Sequence, residues 1–321
     1  MNWYPFCIMV AVILFKPAYF AEIPVLDKAY DLVQILAGLL IGITYLFEVL
    51  QKRKANPIVV LVVSYYAILI LSTLVNSGDL KMVLVRSANF IVICMMFDLL
   101  ATYNFRGLVS SLTLLFEVFV YVNFITILIF PKGFYRSDIF SAYYWFLGYK
   151  SQMINLMLPA ICMSILNYYQ TKPRTSRNWV PWTRTFALIL VTVLSAVLAH
   201  SGASTIMTAG MLLFWLLQGY MVDKIFNFRN YLILNIALFF IIVVFRMQNL
   251  FAFIIEDVLH RNLTLTGRTV IWDRTNELIA QKPILGYGVQ HYEDRMALYG
   301  IKTKWINKVA GLHAHDRYLE T

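Results

Sequence analysis

The chain has 321 residues, of which 60% are hydrophobic and 14% charged, with a formal net charge of +10. A soluble globular domain is about half apolar and a quarter charged, so this composition excludes an ordinary soluble protein. Apolar blocks of membrane-spanning length, without strand-like alternation, favour a helical bundle in a bilayer over a β-barrel. We interpret the positive charge as Lys and Arg on the cytoplasmic side of a membrane, with no nucleic-acid partner.

The apolar segments predict an all-α, polytopic membrane protein with about nine transmembrane helices. The predicted spans are residues 5–21, 31–50, 57–75, 80–100, 108–130, 151–169, 183–200, 203–221 and 230–246. Pro17 would break the last turn of the first span. The tight turn at Ser201 and Gly202 predicts a helical hairpin from the seventh and eighth spans.

Lys and Arg are more frequent in alternate connections, which predicts a cytoplasmic N-terminus. Residues 1–246 would then form the bundle, and residues 247–321 an extracytoplasmic loop at the outer face of the membrane. The outer connection 131–150 is rich in aromatic residues. It would form either an interfacial belt of Tyr and Trp or a platform on which sugars stack.

Ionisable residues inside membrane spans are costly unless they are paired or hydrated, so each is a candidate site. Arg86, in the fourth span, would either extend to the outer headgroups or bind a phosphate in a cavity. Glu117, in the fifth span, would pair with an Arg or form a hydrogen bond with a neighbouring helix. His200 and Arg246 close the seventh and ninth spans on the outer side.

The stretch after the last span begins with an amphipathic helix, predicted from Thr266 or Gly267 to about Gln281. The predicted apolar stripe consists of Ile271, Trp272, Thr275, Leu278 and Ile279. Arg268 falls on the same face at the helix start, where a diphosphate or a loop carboxylate would be its partner. The segment Pro283-Ile-Leu-Gly-Tyr-Gly288 predicts a turn in which two glycines permit positive φ angles.

The chain ends with a short motif, His313-Ala-His315-Asp316. Two His residues without a clear third ligand make a metal site a weak interpretation. A neutral His that takes a proton from a sugar hydroxyl fits better, with a carboxylate to orient it.

Many spans, followed by a long loop with GR-x3-W, P-x2-G-x-G and a terminal HAHDRYLE, resemble the O-antigen ligase/polymerase superfamily. The resemblance implies a bacterial inner-membrane glycosyltransferase of C type that needs no metal or other cofactor. The donor would be an undecaprenyl-diphosphate-linked oligosaccharide, and the acceptor a hydroxyl of a glycan or glycolipid. His315 would be the catalytic base with His313 beside it, and Arg268 would bind the diphosphate.

The sequence departs from the family pattern in two respects. Family members often carry an Arg near the hairpin that here reads HSGAST, so a second diphosphate Arg would be Arg86, Arg246 or Arg261. Members also continue through further spans beyond the loop, whereas this sequence stops at Thr321. The expected function is inverting polymerisation of polysaccharide repeat units for O-antigen, capsule or exopolysaccharide. The alternatives are an O-antigen-type ligase, a transporter of lipid-linked oligosaccharide and an inactive truncated remnant.

Overall fold

The computed structural model describes residues 15–52, 55–137, 142–171, 179–221, 227–241 and 268–299. These ranges are mainly helical. The helices are α1 Pro24–Lys52, α2 Pro57–Val75, α3 Leu80–Ile129, α4 Ile154–Thr171, α5 Val180–Leu198, α6 Gly202–Met221, α7 Phe228–Phe239, α8 Arg268–Gln281 and α9 Tyr292–Tyr299. The strands are β1 Tyr135–Ser137, β2 Ala142–Trp145 and β3 Gly148–Tyr149.

Four of the described helices, α1, α2, α3 and α5, are long and apolar enough to cross a membrane. Only 11% of the most apolar window of α1 and 17% of that of α2 are buried. Their Leu, Ile and Val side chains therefore lie at the molecular surface, where a bilayer is the solvent that suits them. This arrangement confirms the predicted class, a helical membrane-type protein, and the predicted number of nine spans stays a prediction.

Three of the predicted spans differ in detail from the structure. The first lies mostly outside the described residues, and its end forms a 3-10 helix, Ala18–Glu22, after Pro17. The fourth and fifth are continuous in α3, which is interrupted by a kink at Asn104 with φ −155° and ψ 72°. The Asn104 side chain accepts the Gly107 amide at 2.9 Å and so restarts the helix without an intervening loop.

The aromatic connection forms a small antiparallel sheet, in the order β1-β2-β3, which the sequence analysis did not predict. Buried Asn123 of α3 accepts the Leu147 amide at 2.9 Å and thereby fixes the β2–β3 turn. The rings of Tyr135 and Tyr144 stack on each other. Burial, with a contribution from the Glu22 carboxylate, raises the pKa of Tyr135, so its hydroxyl stays neutral at physiological pH.

The chain packs into two compact units. The first comprises the described residues of Met1–Val63 and Ser87–Leu217, and the second those of Ser64–Arg86 and Gln218–Thr321. A charged pair joins α3 and α5 in the first unit, where the Glu117 carboxylate accepts Arg184 Nε at 2.7 Å and Nη2 at 2.5 Å. The Glu117 side chain is only 8% accessible, and burying its charge without a partner would be costly. The bidentate bonds from Arg184 offset this cost.

The predicted amphipathic helix is present in the second unit as α8. Its buried residues are Ile271, Trp272, Thr275 and Leu278, which match the predicted stripe, while Ile279 stays 44% accessible. The short helix α9 also lies within residues 247–321, for which the sequence predicted only an extracytoplasmic loop after the amphipathic helix and the turn. Arg274 Nε donates to the Leu298 carbonyl at 3.1 Å and so ties α8 to α9.

Candidate functional site

The second unit brings together two short segments that are some 200 residues apart in the sequence. The first is the end of α2 with the turn into α3, residues 72–79, which we call the helix-end turn. The second is residues 283–288, the glycine turn, which ends the predicted amphipathic segment. Both belong to stretches that the sequence analysis assigned to the outer face.

Hydrogen bonds dock the glycine turn and the residue after it onto the helix-end turn. The Ser72 hydroxyl donates to the Leu285 carbonyl, and Asn76 Nδ2 donates to the Gly286 carbonyl at 3.1 Å. The bonds of Val289 complete the docking: its amide donates to Thr73 Oγ1 at 3.0 Å, and its carbonyl accepts the Asp79 amide at 2.7 Å. Backbone groups of the loop thus have partners on a helix end, which fixes the loop's position.

Two glycines make this close approach possible. Gly288 has φ +65°, and a Cβ there would lie 2.5 Å from Thr73 Cα and 2.6 Å from Thr73 N. A Cβ on Gly78 would overlap the Val289 carbonyl oxygen. Gly286 also has a positive φ, +61°, but its Cβ would meet open space. The glycines predicted to form a turn therefore have different reasons to be glycine.

The same docking positions a cation. Lys282 Nζ donates to Asn76 Oδ1 at 2.5 Å and lies 4.6 Å from the centre of the Tyr287 ring. The ring face attracts the ammonium group, while the amide oxygen fixes its position. Lys282 is thereby held beside the glycine turn and exposed to the space around it.

One cavity beside the glycine turn has a volume of about 490 Å³. Three cations contribute to its lining, Arg86 of α3, Lys282 and Arg295 of α9, together with the backbone of Gly286–Gly288. None of its described lining residues carries a carboxylate. We call it the cationic cavity, and its charge favours an anionic ligand such as a phosphate.

A second cavity, of about 580 Å³, shares part of this lining. Its other described residues include Asn76, Ser77, Arg274 and Asp294. It therefore presents an amide, a hydroxyl, a cation and a carboxylate together, and we call it the mixed cavity.

A histidine of the second unit also has a carboxylate partner. His291 Nδ1 lies 3.5 Å from Asp79 Oδ2. The other carboxylate oxygen of Asp79 accepts the Met82 amide at 2.9 Å at the start of α3. Asp79 therefore connects the start of α3 to His291. His291 directly follows Gln290, which lines the mixed cavity.

The predicted site residues have different outcomes. Arg86 lines the cationic cavity, as its phosphate-binding alternative requires. Arg268 is the first residue of α8, as predicted for its backbone. His200 is exposed at the turn after α5 with φ +52°, in the first unit. The remaining predicted residues lie outside the described ranges: Arg246, Arg261, His313 and His315.

Lys282 and Arg295 were not predicted to line a cavity. Lys282 directly precedes the turn proline, and Arg295 lies in the part of the extracytoplasmic loop for which no element was predicted. A signal was present, because Arg274, Lys282 and Arg295 recur within the polar stretch after the last apolar segment. Nothing in their spacing, however, indicates that Arg86 lines the same cavity.

Apolar helices of membrane-spanning length and a polar unit with a cation-lined cavity define a helical membrane-type protein whose second unit carries a cationic cavity. A sequence model of the family described as O-antigen ligase matches residues 185–321, so this part of the chain is similar to that family. The match confirms the resemblance to the O-antigen ligase/polymerase superfamily. The chain has no match among the curated proteins or the solved structures.

Proposed function

We propose that the protein transfers a glycan from an undecaprenyl-diphosphate carrier to an acceptor sugar hydroxyl at the outer face of a bacterial cytoplasmic membrane. The family match supports glycosyl transfer of the O-antigen ligase/polymerase type in general. The observation that carries the finer proposal is the cationic cavity, in which Arg86, Lys282 and Arg295 face one space. A diphosphate is the anionic part of such a donor, and cations are its natural ligands.

In the proposed reaction, the acceptor hydroxyl attacks the anomeric carbon while the bond from this carbon to the diphosphate oxygen breaks. His315 takes the hydroxyl proton, and the carrier diphosphate leaves with the bonding electron pair. Negative charge grows on the leaving oxygen, so the cavity cations and Arg268 stabilise the transition state more than the bound donor. Attack from the side opposite the diphosphate inverts the anomeric configuration, and the protein groups named here require no metal.

The contacts within each unit agree with the predicted placement of these segments on one face of the membrane, and the distribution of Lys and Arg indicates which face. The helix-end turn and the glycine turn were assigned to the outer face independently, and they are hydrogen-bonded to each other. In the first unit, Tyr19 donates its amide to the Phe146 carbonyl at 3.3 Å, which joins the outer end of the first predicted span to the connection 131–150 assigned to that face. We therefore propose a cytoplasmic N-terminus and an extracytoplasmic stretch from residue 247 to 321.

The first candidate reaction is polymerisation of repeat units, and the second is ligation of a finished glycan. The description of the matched family, O-antigen ligase, favours the second candidate. Both use the same donor, so the cationic cavity serves either. They differ in whether the accepting hydroxyl belongs to another repeat unit or to a glycolipid.

The surface-glycan profile of a strain lacking the gene, with and without the 321-residue chain restored, tests the proposal. Loss of the ladder to single repeat units identifies a polymerase, and a polymer retained on its lipid carrier identifies a ligase. An unchanged profile would remove the enzyme proposal. In the restored strain we expect His315→Ala to abolish the product, whereas a transporter would tolerate it.

A charge-removal pair tests the cavity itself. Arg86→Ala should lower transfer by about tenfold or more, because a charge-assisted phosphate contact contributes more than about 1.4 kcal/mol. Lys81→Ala is the matched control, since Lys81 is an exposed cation on the same helix and in the same unit but is not among the cavity residues. Equal losses in the two variants would indicate a general effect of surface charge.

A further inference from the structure

The cationic and mixed cavities are neighbours. Four residues line both of them: Lys282, Tyr287, Gln290 and Leu298. A ligand that fills the cationic cavity therefore has an adjoining space of similar size, whose lining shares these four residues. Each volume falls within the range of about 300–1,000 Å³ that small-molecule sites occupy.

The two cavities differ in charge in a way that selects different chemical groups. The cationic cavity offers only positive charge among its described ionisable residues. In the mixed cavity, the cation Arg274 already donates to Glu277 at 2.6 Å and to the Leu298 carbonyl at 3.1 Å. The charge of Arg274 is thereby engaged, and the remaining charges of Lys282 and Asp294 are opposite, so the mixed cavity is close to neutral and provides both donors and acceptors.

Asp294 gives the mixed cavity its acceptor. It lies on α9, is exposed, and has no hydrogen-bond donor or cation as partner among the described residues. A carboxylate accepts two hydroxyl hydrogens, and the amide of Gln290 can both donate and accept. Sugar hydroxyls do both as well, so a neutral sugar ring matches this set of groups, whereas a second phosphate would be repelled by Asp294.

We propose that the mixed cavity is a glycan subsite, in which Asp294 and Gln290 bind the hydroxyls of the donor sugar next to the diphosphate. This inference rests on the proposed function, because it takes the cationic cavity as the diphosphate site. The donor then spans both cavities across Lys282, with its anionic part among the cations and its neutral part beside Asp294. Asp294 is a specificity-determining residue in this arrangement.

Two ligands separate the subsites in a binding experiment with the full chain in nanodiscs. The first is bare undecaprenyl diphosphate, and the second is the lipid-linked oligosaccharide extracted from the strain that lacks the gene. The ratio of the dissociation constant of bare undecaprenyl diphosphate to that of the lipid-linked oligosaccharide measures how much the sugar contributes to binding. Asp294→Asn keeps the shape of the side chain and removes its charge, and we expect this ratio to fall by about fivefold.

Bare undecaprenyl diphosphate should bind Asp294→Asn and the wild-type chain with equal affinity. Arg86→Ala should weaken the binding of both ligands by the same factor. Asp273→Asn is the matched control, because Asp273 is an exposed carboxylate of the same unit that lines neither cavity. An unchanged ratio in Asp294→Asn would overturn the glycan subsite. If that variant instead raised only the KM of the acceptor glycan, the assignment to the donor would be wrong.

The proposed function fails in a different way. The proposed donor would be wrong if the wild-type chain bound neither ligand. It would also be wrong if the deletion strain accumulated no lipid-linked oligosaccharide. Binding of both ligands with no effect of Asp294→Asn removes only the subsite. The two proposals are therefore tested separately by one set of measurements.

Discussion

The protein ends two of its helices with the same backbone turn, after α2 at residues 72–79 and after α5 at residues 195–202. In each turn the sixth residue, Ser77 or His200, has φ +52°. The amide of the following residue reaches back five positions, from Gly78 to the Thr73 carbonyl and from Ser201 to the Ala196 carbonyl. Both turns satisfy the last carbonyls of a helix in this way.

The side chains of the two turns differ. Positions that are Thr73, Asn76 and Gly78 in the first turn are Ala196, Ala199 and Ser201 in the second. The second turn shows that a helix end of this geometry needs neither the hydroxyl nor the amide. Each of these three residues of the first turn contacts the glycine turn or Val289. Polar groups beyond what the helix end requires therefore identify a docking site for another segment.

The substitution expected to disrupt this docking most is the addition of a methyl group at Gly288. Gly288→Ala places a Cβ against the Thr73 backbone and forces a left-handed conformation on an L-residue. The strain costs about 1–2 kcal/mol and the overlap about 1–3 kcal/mol more. We expect loss of amide hydrogen-exchange protection at Asp79 and Val289, measured by mass spectrometry, and loss of transfer activity.

Gly286→Ala separates the strain from the overlap. Its φ is nearly the same, but no atom lies within 4 Å of the added Cβ. We expect it to cost only about 1 kcal/mol and to retain docking. Equal effects of the two substitutions would show that backbone conformation alone, and not close approach to α2, accounts for the glycines.

Converting Asn76 to its counterpart in the second turn should have a smaller effect. Asn76→Ala removes the bond to the Gly286 carbonyl and the acceptor of Lys282, together about 2 kcal/mol of docking free energy. The helix end itself should remain, since Ala199 occupies the equivalent position in an intact turn. Donor binding should weaken as Lys282 loses its position.

Asn76→Asp sharpens this result. It retains an acceptor for Lys282 and adds a negative charge beside the cation, but it loses the donor to Gly286. If Asp restores thermal stability yet lowers diphosphate affinity further, the role of Asn76 in positioning a cation for the ligand is supported. Full activity in Asn76→Ala would contradict that role.

Sequence reasoning predicted the parts of the molecule whose determinants are local. Hydropathy gave the membrane-length helices, and periodicity gave the buried stripe of α8. Glycines and Pro283 indicated the turn at 283–288, because turn conformation depends on a few adjacent residues. Arg86 was singled out by its charge within an apolar segment, and it lines the cationic cavity.

The features that were missed depend on contacts distant in sequence. The sheet of residues 135–149 has strands of two to four residues, too short for an alternating pattern to show. Glu117 and Arg184 are 67 positions apart, so their bidentate pair could be foreseen only as one of two alternatives. Docking of the glycine turn joins residues more than 200 positions apart. A single hydroxyl or amide at a helix end does not indicate which distant segment it will bind.

The smallest of the effects is expected at Thr73, whose hydroxyl donates to the Leu69 carbonyl of its own helix and accepts one docking bond from Val289. Thr73→Val keeps the branched shape of the side chain and removes the oxygen that accepts the Val289 amide at 3.0 Å. We expect a loss of about 1 kcal/mol in docking free energy, because the amide is left without its acceptor. Exchange of the Val289 amide should accelerate while that of Asp79, which donates to the Val289 carbonyl, changes less. Ser195→Ala in the second turn is the control, since the Ser195 hydroxyl donates only to the Val191 carbonyl of its own helix among the described residues. Unaltered exchange at Val289 in Thr73→Val would mean that the glycines and Asn76 suffice to hold the loop on α2.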